Sequence, residues 1–230
     1  FRNAIDSTVC LTALQICLVD LLTSVDITRS TCKGYIGHSA GEIAAGYFDG
    51  CLTFETALDV SFLRGDAATS LASSHRGAMM VIRGLERETI EAALLKDCFS
   101  LDVACHNGET SITLAGSETE LNRFENVISS TNDSVYISPV HTYGVAFHSR
   151  LVNDDKLEQK LREVIVCPKM RNSKWVSTCY DMGDNDGGFA GSKYYSSGFK
   201  KCVEFERACR SIPENAIVIE CGPCALFRSI

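Results

Sequence analysis

Tyr35-Ile36-Gly37-His38-Ser39-Ala40-Gly41-Glu42-Ile43-Ala44-Ala45-Gly46-Tyr47-Phe48 is the stretch from which the rest of the chain can be read. Residues 32–36 form a short strand-like run, and residues 42–48 follow as a helix-like stretch. Between them sits Gly37-x-Ser39-x-Gly41. Flanking glycines let strand and helix approach closely, so a serine there occupies a sharp turn with its hydroxyl at the helix N-terminus. Backbone N–H groups and the helix dipole favour an oxyanion at that point. The five-residue motif is short enough to arise by chance, and the strand-turn-helix context is what makes Ser39 a candidate nucleophile.

Working outward, Leu11, Leu14, Leu18, Leu21 and Val25 recur at helical spacing and predict a helix over residues 7–24. Thr53 caps a second long helix that runs through Ala57, Val60 and Leu63 to about residue 74. From Gly77 the period changes. Strands are expected at 78–82, 101–105, 110–114 and 134–140, helices at 86–95 and 118–129, and a turn at 106–109. That β-α-β-β-α-β order is the ferredoxin-like signature. Helical spacing returns at 151–164. A strand at 175–178, a glycine-rich polar stretch at 181–192, a helix near 203–212 and a last strand at 216–220 complete the chain. The expected fold class is α/β, with a larger unit formed by residues 1–76 and 142–230 and a ferredoxin-like unit, 77–141, inserted in it.

At 230 residues the chain can bury a sizeable core, and 45% apolar with 22% charged residues is ordinary globular composition. No uninterrupted apolar run approaches the ~18 residues of a membrane span. The net charge of −7, with no basic block, argues against nucleic acid as a partner. The chain opens on Phe1 without a secretory leader and reads as a piece of something longer. Twelve cysteines lie scattered in apolar contexts, without the paired clusters of a metal site, which points to a reducing, cytoplasmic compartment.

A serine nucleophile needs a base, and five histidines are available. His38 adjoins Ser39 and is expected to point away across the turn, packing against the backbone. His75 and His106 fall in polar, turn-like surroundings. His141 and His148 bracket the exit from the inserted unit, where clefts form, and position favours His148 without eliminating His141. Arg64, in a helix among apolar residues, is either a solvated side chain or a bidentate clamp for a carboxylate. Cys221-Gly222-Pro223-Cys224 has the spelling of a thioredoxin-type redox motif, but too few residues follow it for that fold.

Gly37-His38-Ser39-Ala40-Gly41-Glu42 resembles the G-H-S-x-G-E signature of acyltransferase domains of fatty acid and polyketide synthases. Further segments match in order. Leu11-Thr12-Ala13-Leu14-Gln15, Val19-Asp20-Leu21-Leu22 and Gly46-Tyr47-Phe48-Asp49-Gly50-Cys51-Leu52 resemble animal type I fatty acid synthase. Arg64-Gly65, Ala104-Cys105-His106-Asn107, Gly144-Val145-Ala146-Phe147-His148-Ser149 and Glu220-Cys221-Gly222-Pro223 match family segments as well, so the resemblance spans the chain. It implies an α/β-hydrolase-like larger unit. Ser39 and His148 are then the catalytic pair, and the Ala40 N–H is one oxyanion donor. Arg64, Phe147 and His38 are placed at the substrate, with Arg64 on a malonyl carboxylate and Phe147 biasing against an α-methyl group. Malonyl-CoA or acetyl-CoA is the implied donor, and the phosphopantetheine thiol of an acyl carrier protein the acceptor. No metal or bound cofactor is implied, and the parent is a cytosolic, homodimeric multienzyme with neighbouring synthase domains.

Three departures accompany the match. The loop that supplies the family's second oxyanion donor lies upstream of Phe1. The segment expected to orient the histidine, usually asparagine-rich, reads Tyr195-Ser196-Ser197-Gly198. Cys224 stands where the family often has histidine or glycine. Two other classes share the motif: a serine esterase of α/β-hydrolase type, which requires an acid to hold the histidine and no Arg64, and a catalytically inert acyltransferase fragment.

Overall fold

The computed structural model describes all residues except 1, 132–133, 154, 180–187 and 228–230. Helix α1 (Ala4–Ser24) starts at Asn3, whose side chain accepts from the Asp6 N–H at 2.7 Å. Helix α3 (Phe54–Ser74) starts at Thr53, which accepts from Thr56 N–H. The two helices pack together through buried small and polar residues. Ser61 Oγ donates to Thr12 Oγ1 at 2.6 Å, and a Cβ at Gly65 would come within 2.6 Å of Ile5 Cα. By length and composition α1, with a mean hydropathy of 1.7, is long and apolar enough to cross a membrane. A search for an unbroken apolar run misses this because Gln15 and Asp20 interrupt it. Here Thr12 and Ile16 are fully buried in the core of the larger unit.

Strand β1 (Tyr35–Ile36) runs parallel to β6 (Trp175–Val176). It leads directly into α2 (Gly41–Asp49), which ends at Gly50 in the left-handed region, φ 77°. From residue 77 the chain forms β2 (Ala78–Arg83), α4 (Arg87–Lys96), β3 (Leu101–Gly108), β4 (Ser111–Gly116), α5 (Glu118–Thr131) and β5 (Tyr136–Val140). These strands are antiparallel in the order β5-β2-β4-β3, the ferredoxin-like arrangement that the sequence order predicts. Alternation along the strands sets two faces. Met80, Ile82, Ile112 and Leu114 bury against Ile90 and Phe124 of the two helices, while Met79, Cys105 and Ala115 face Ala146, Val203 and Phe205. The second face is where the inserted unit meets the larger one.

Several boundaries depart from the sequence reading. β3 continues through His106 to Gly108, so no turn begins at 106, and His106 is buried. Helix α6 (Asp155–Val164) starts four residues later than expected, because Ser149–Val152 closes a turn through the Val152 N–H. Helix α7 (Ser192–Lys200) occupies polar, serine-rich sequence with no predicted element. Val203 and Glu204 form β7, parallel to β3, before a short α8 (Phe205–Cys209), instead of opening a helix to 212. Residues 216–220 form no strand. Ile217 and Val218 are exposed, and neither has a strand partner among the described residues. The glycine-rich stretch at 181–187 lies outside the described residues.

Candidate active site

Ser39 holds φ at 53°, in the left-handed region that a residue with a Cβ enters at a cost of roughly 1–2 kcal/mol. What holds it there is the closeness of strand and helix. A Cβ on Gly37 would lie 2.5–2.6 Å from the backbone of Gly41 and Glu42, so only glycine fits. Glu42, in the first turn of α2, is buried and accepts four hydrogen bonds. They come from Trp175 Nε1, Thr178 N, Thr178 Oγ1 and Tyr194 OH, at 2.6–2.8 Å. One carboxylate therefore fastens the turn to β6 and α7. Burial pushes its pKa up, and the four donors oppose that shift.

No side chain caps α2. Gly41 N–H donates to His38 O and Glu42 N–H to Ser39 O, while the Ala40 N–H has no backbone acceptor among the described residues. It stands at the positive end of the helix dipole, beside the Ser39 hydroxyl.

Two side chains converge on that hydroxyl. His148 Nε2 lies 2.7 Å from Ser39 Oγ, and Arg64 Nη2 donates to the same oxygen at 3.0 Å. His148 is buried, with φ at 57°, on the loop that leaves the inserted unit. Its Nδ1 lies 2.8 Å from the carbonyl oxygen of Lys201, which fixes Nδ1–H as donor and leaves Nε2 to accept. The orienting group is thus a main-chain carbonyl one residue beyond α7, not the 195–198 segment. Among the described residues no acid, the mark of the hydrolase triad, holds this histidine.

Arg64 is buried on α3 and lines a small cavity with Ile43, Val60, Leu157, Leu161 and Tyr195. Its Nη1 donates to Gly198 O at 3.3 Å, and its guanidinium lies 5.0 Å from the Phe199 ring centroid. Among the described residues no carboxylate pairs with it. Burial lowers its pKa to about 10, where it still carries its charge at neutral pH. Burial first, then Arg64, lowers His148 to about 3, so the imidazole is neutral and able to accept a proton.

The remaining predicted residues separate. Phe147 is half-buried and packs edge-on against Phe199, with centroids 5.5 Å apart. His38 Nε2 meets Asn107 Oδ1 at 2.8 Å, and its ring packs on Phe205 and Phe227, the packing role that its place beside the serine suggested. Asn107 in turn donates to Thr113. His75 and His141 are exposed, and the structure leaves His148 as the histidine at the serine. Glu42 and Lys201 were missed as functional positions. A glutamate inside an otherwise apolar helix start is a legible signal for the first, while a main-chain carbonyl carries no residue-type signal at all.

This chain belongs to the acyl transferase domain family. The family's domain matches residues 3–230. Among curated relatives, a reducing polyketide synthase DEP5 of Fusarium langsethiae is 33% identical over 223 residues, covering 92% of this chain and 9% of its own length. A highly reducing polyketide synthase of Pyrenophora dematioidea is 28% identical over 219 residues, 92% of this chain and 8% of the relative. The chain therefore spans under a tenth of the length of these relatives. Of solved structures, FabD from Acinetobacter baumannii superposes with a TM-score of 0.76 at 19% identity, over 98% of this chain and 72% of that one. The acyltransferase domain of the polyketide synthase PpsC of Mycobacterium tuberculosis does so with 0.72 at 22% identity, over 90% and 60%. These likenesses establish the α/β fold of acyltransferase domains.

Proposed function

We propose that this chain transfers a malonyl group, and less readily an acetyl group, from coenzyme A to the phosphopantetheine thiol of an acyl carrier protein. Arg64 carries the reading: a buried guanidinium with no carboxylate partner among the described residues stands 3.0 Å from the nucleophile. A substrate carboxylate supplies the missing partner. Ser39 Oγ attacks the thioester carbonyl as its proton passes to His148 Nε2, and the Ala40 N–H receives the developing oxyanion. The C–S bond breaks, and the leaving thiolate takes the proton back from His148. The carrier-protein thiol then attacks the acyl-serine, with His148 as base again, and Ser39 is regenerated.

In this reading Phe147 and His38 stand beside the acyl group by virtue of their neighbours His148 and Ser39. The larger unit is 1–76 with 142–230 and the inserted unit 77–141, the acyl site lying at their junction. The chemistry calls for no metal or bound organic cofactor, because the acyl thioester is already activated. The parent protein is a cytoplasmic multienzyme of fatty acid or polyketide synthase type, with neighbouring synthase domains. The Gly46–Leu52 match to animal fatty acid synthase supports the first, and the polyketide synthase relatives support the second.

The test is intact-protein mass spectrometry after brief exposure to malonyl-CoA. One malonyl adduct is expected, lost in Ser39→Ala, and passed on when a phosphopantetheinylated carrier protein is added. No adduct on the wild-type chain, or one that survives Ser39→Ala, overturns the reading.

A further inference from the structure

On the edge of β3 that pairs with β7, three side chains of metal-ligating type, His106, Cys202 and Glu204, come together. β7 pairs with β3 so that His106 stands opposite Glu204, and Cys202 lies just before β7, two residues from Glu204. One ligand atom from each of His106, Cys202 and Glu204 lies within 4.8 Å of the others. His106 Nε2 is 3.8 Å from Glu204 Oε1, too long for a hydrogen bond. His106 is 4% exposed, and its Nδ1 is buried with no hydrogen-bond partner. A buried imidazole whose Nδ1 has no partner and whose Nε2 stops short of the Glu204 carboxylate is a costly arrangement unless something else engages it.

We propose that His106, Cys202 and Glu204 form a site for a divalent cation of the zinc class. Nitrogen, sulfur and oxygen donors together suit zinc, and three protein ligands leave the fourth tetrahedral position to water. Tetrahedral zinc puts such donors about 3.3–3.6 Å apart, so side-chain adjustments of roughly an ångström close the site. On binding, the Cys202 thiol gives its proton to solvent and the thiolate, the neutral imidazole and the carboxylate donate electron pairs to the metal. Nearby, Arg87 is held by Glu91 at 2.8 Å, and Glu206 adds a further acid to the surroundings. The location gives the site a consequence. His106 belongs to the inserted unit and Cys202 to the chain directly after Lys201, whose carbonyl holds His148. A bound cation ties the two units together one residue from that carbonyl.

The experiment titrates the reduced, chelator-stripped 230-residue chain with cobalt(II) and then zinc, following absorption and thermal unfolding. One equivalent of cobalt is expected to give a thiolate-to-cobalt charge-transfer band, displaced by zinc, with a metal-dependent rise in the unfolding midpoint. Cys202→Ser is expected to abolish the band and Glu204→Gln to weaken binding roughly a hundredfold, as His106→Gln does. Cys98→Ser, which changes an exposed thiol, is expected to leave binding intact. Circular dichroism without metal shows whether each variant folds, and Glu204→Gln, at a half-buried side chain, serves if Cys202→Ser does not. No stoichiometric band, or a band that survives Cys202→Ser or Glu204→Gln unchanged, overturns the proposal.

Discussion

Arg64 and His148 meet on a single atom, the Ser39 hydroxyl oxygen, from two separate elements of the fold. Arg64 donates to it at 3.0 Å from α3, and His148 Nε2 faces it at 2.7 Å from the loop after the inserted unit. A fixed positive charge so close favours the deprotonated nucleophile and disfavours a protonated histidine. The same charge is the natural counterpart of an anionic acyl group. In the proposed reaction, recognition and activation are coupled through one guanidinium.

Arg64→Ala is expected to lower the rate of Ser39 malonylation by roughly a hundredfold, the scale of one lost charge-assisted hydrogen-bonded pair. Acetylation should fall far less, so that the preference between the two donors inverts. Arg64→Lys should recover little, because a single ammonium cannot reproduce the planar fork. Competition between malonyl-CoA and acetyl-CoA, read by intact mass, checks this. Equal losses for both donors would refute the carboxylate clamp.

The pH dependence follows from His148, whose folded-state pKa of about 3 lies below its ordinary 6.5. Between these values the native state binds fewer protons than the unfolded chain. The stabilisation is whole above pH 6.5 and is lost as pH falls toward 3, on the order of 5 kcal/mol at most. Acylation of Ser39 should accordingly show no inflection near pH 6.5. In Arg64→Ala the histidine pKa should rise, since Arg64 is one of the causes of its depression. Denaturant melts and initial rates from pH 4 to 8 measure both.

Glu42→Ala strands the donors of Trp175, Thr178 and Tyr194 in a buried site and is expected to cost about 3 kcal/mol or more. Glu42→Gln keeps the shape and one acceptor oxygen, so its cost should be smaller. Because Glu42 holds the turn and touches no reacting atom, the loss in rate should track the loss of fold. Urea melts alongside acylation rates test this. A Glu42→Ala chain with wild-type stability would refute the clamp.

Gly37→Ala adds a methyl group 2.5–2.6 Å from backbone atoms that cannot move aside. Overpacking of this kind costs roughly 1–3 kcal/mol, and the displaced turn should carry Ser39 out of reach of His148. The expected result is a folded chain of lower stability with acylation reduced more than a hundredfold. Gly188→Ala makes a useful contrast, since a Cβ there meets nothing within 4 Å and only its φ of 80° opposes it.

The sequence by itself determined the strand-turn-helix around Ser39, the long helix α1 by its spacing and α3 by its Thr53 cap, and the β-α-β-β-α-β order of the inserted unit. Each of these rests on local signals: periodicity, caps and glycines that act within a few residues. It also reached Ser39, Arg64 and His148, because their residue types announce chemistry and a family pattern connects them. Tertiary structure alone decided that residues 203–204 pair as a strand with β3, although the segment reads as helix. It also decided that serine-rich 192–200 coils against Glu42, and that His106 is buried and not in a turn. These outcomes depend on partners a hundred residues or so away, whose burial outweighs local propensity. The same holds for the contact that sets the histidine. A main-chain carbonyl is present at every residue, and only the folded backbone selects the one at Lys201.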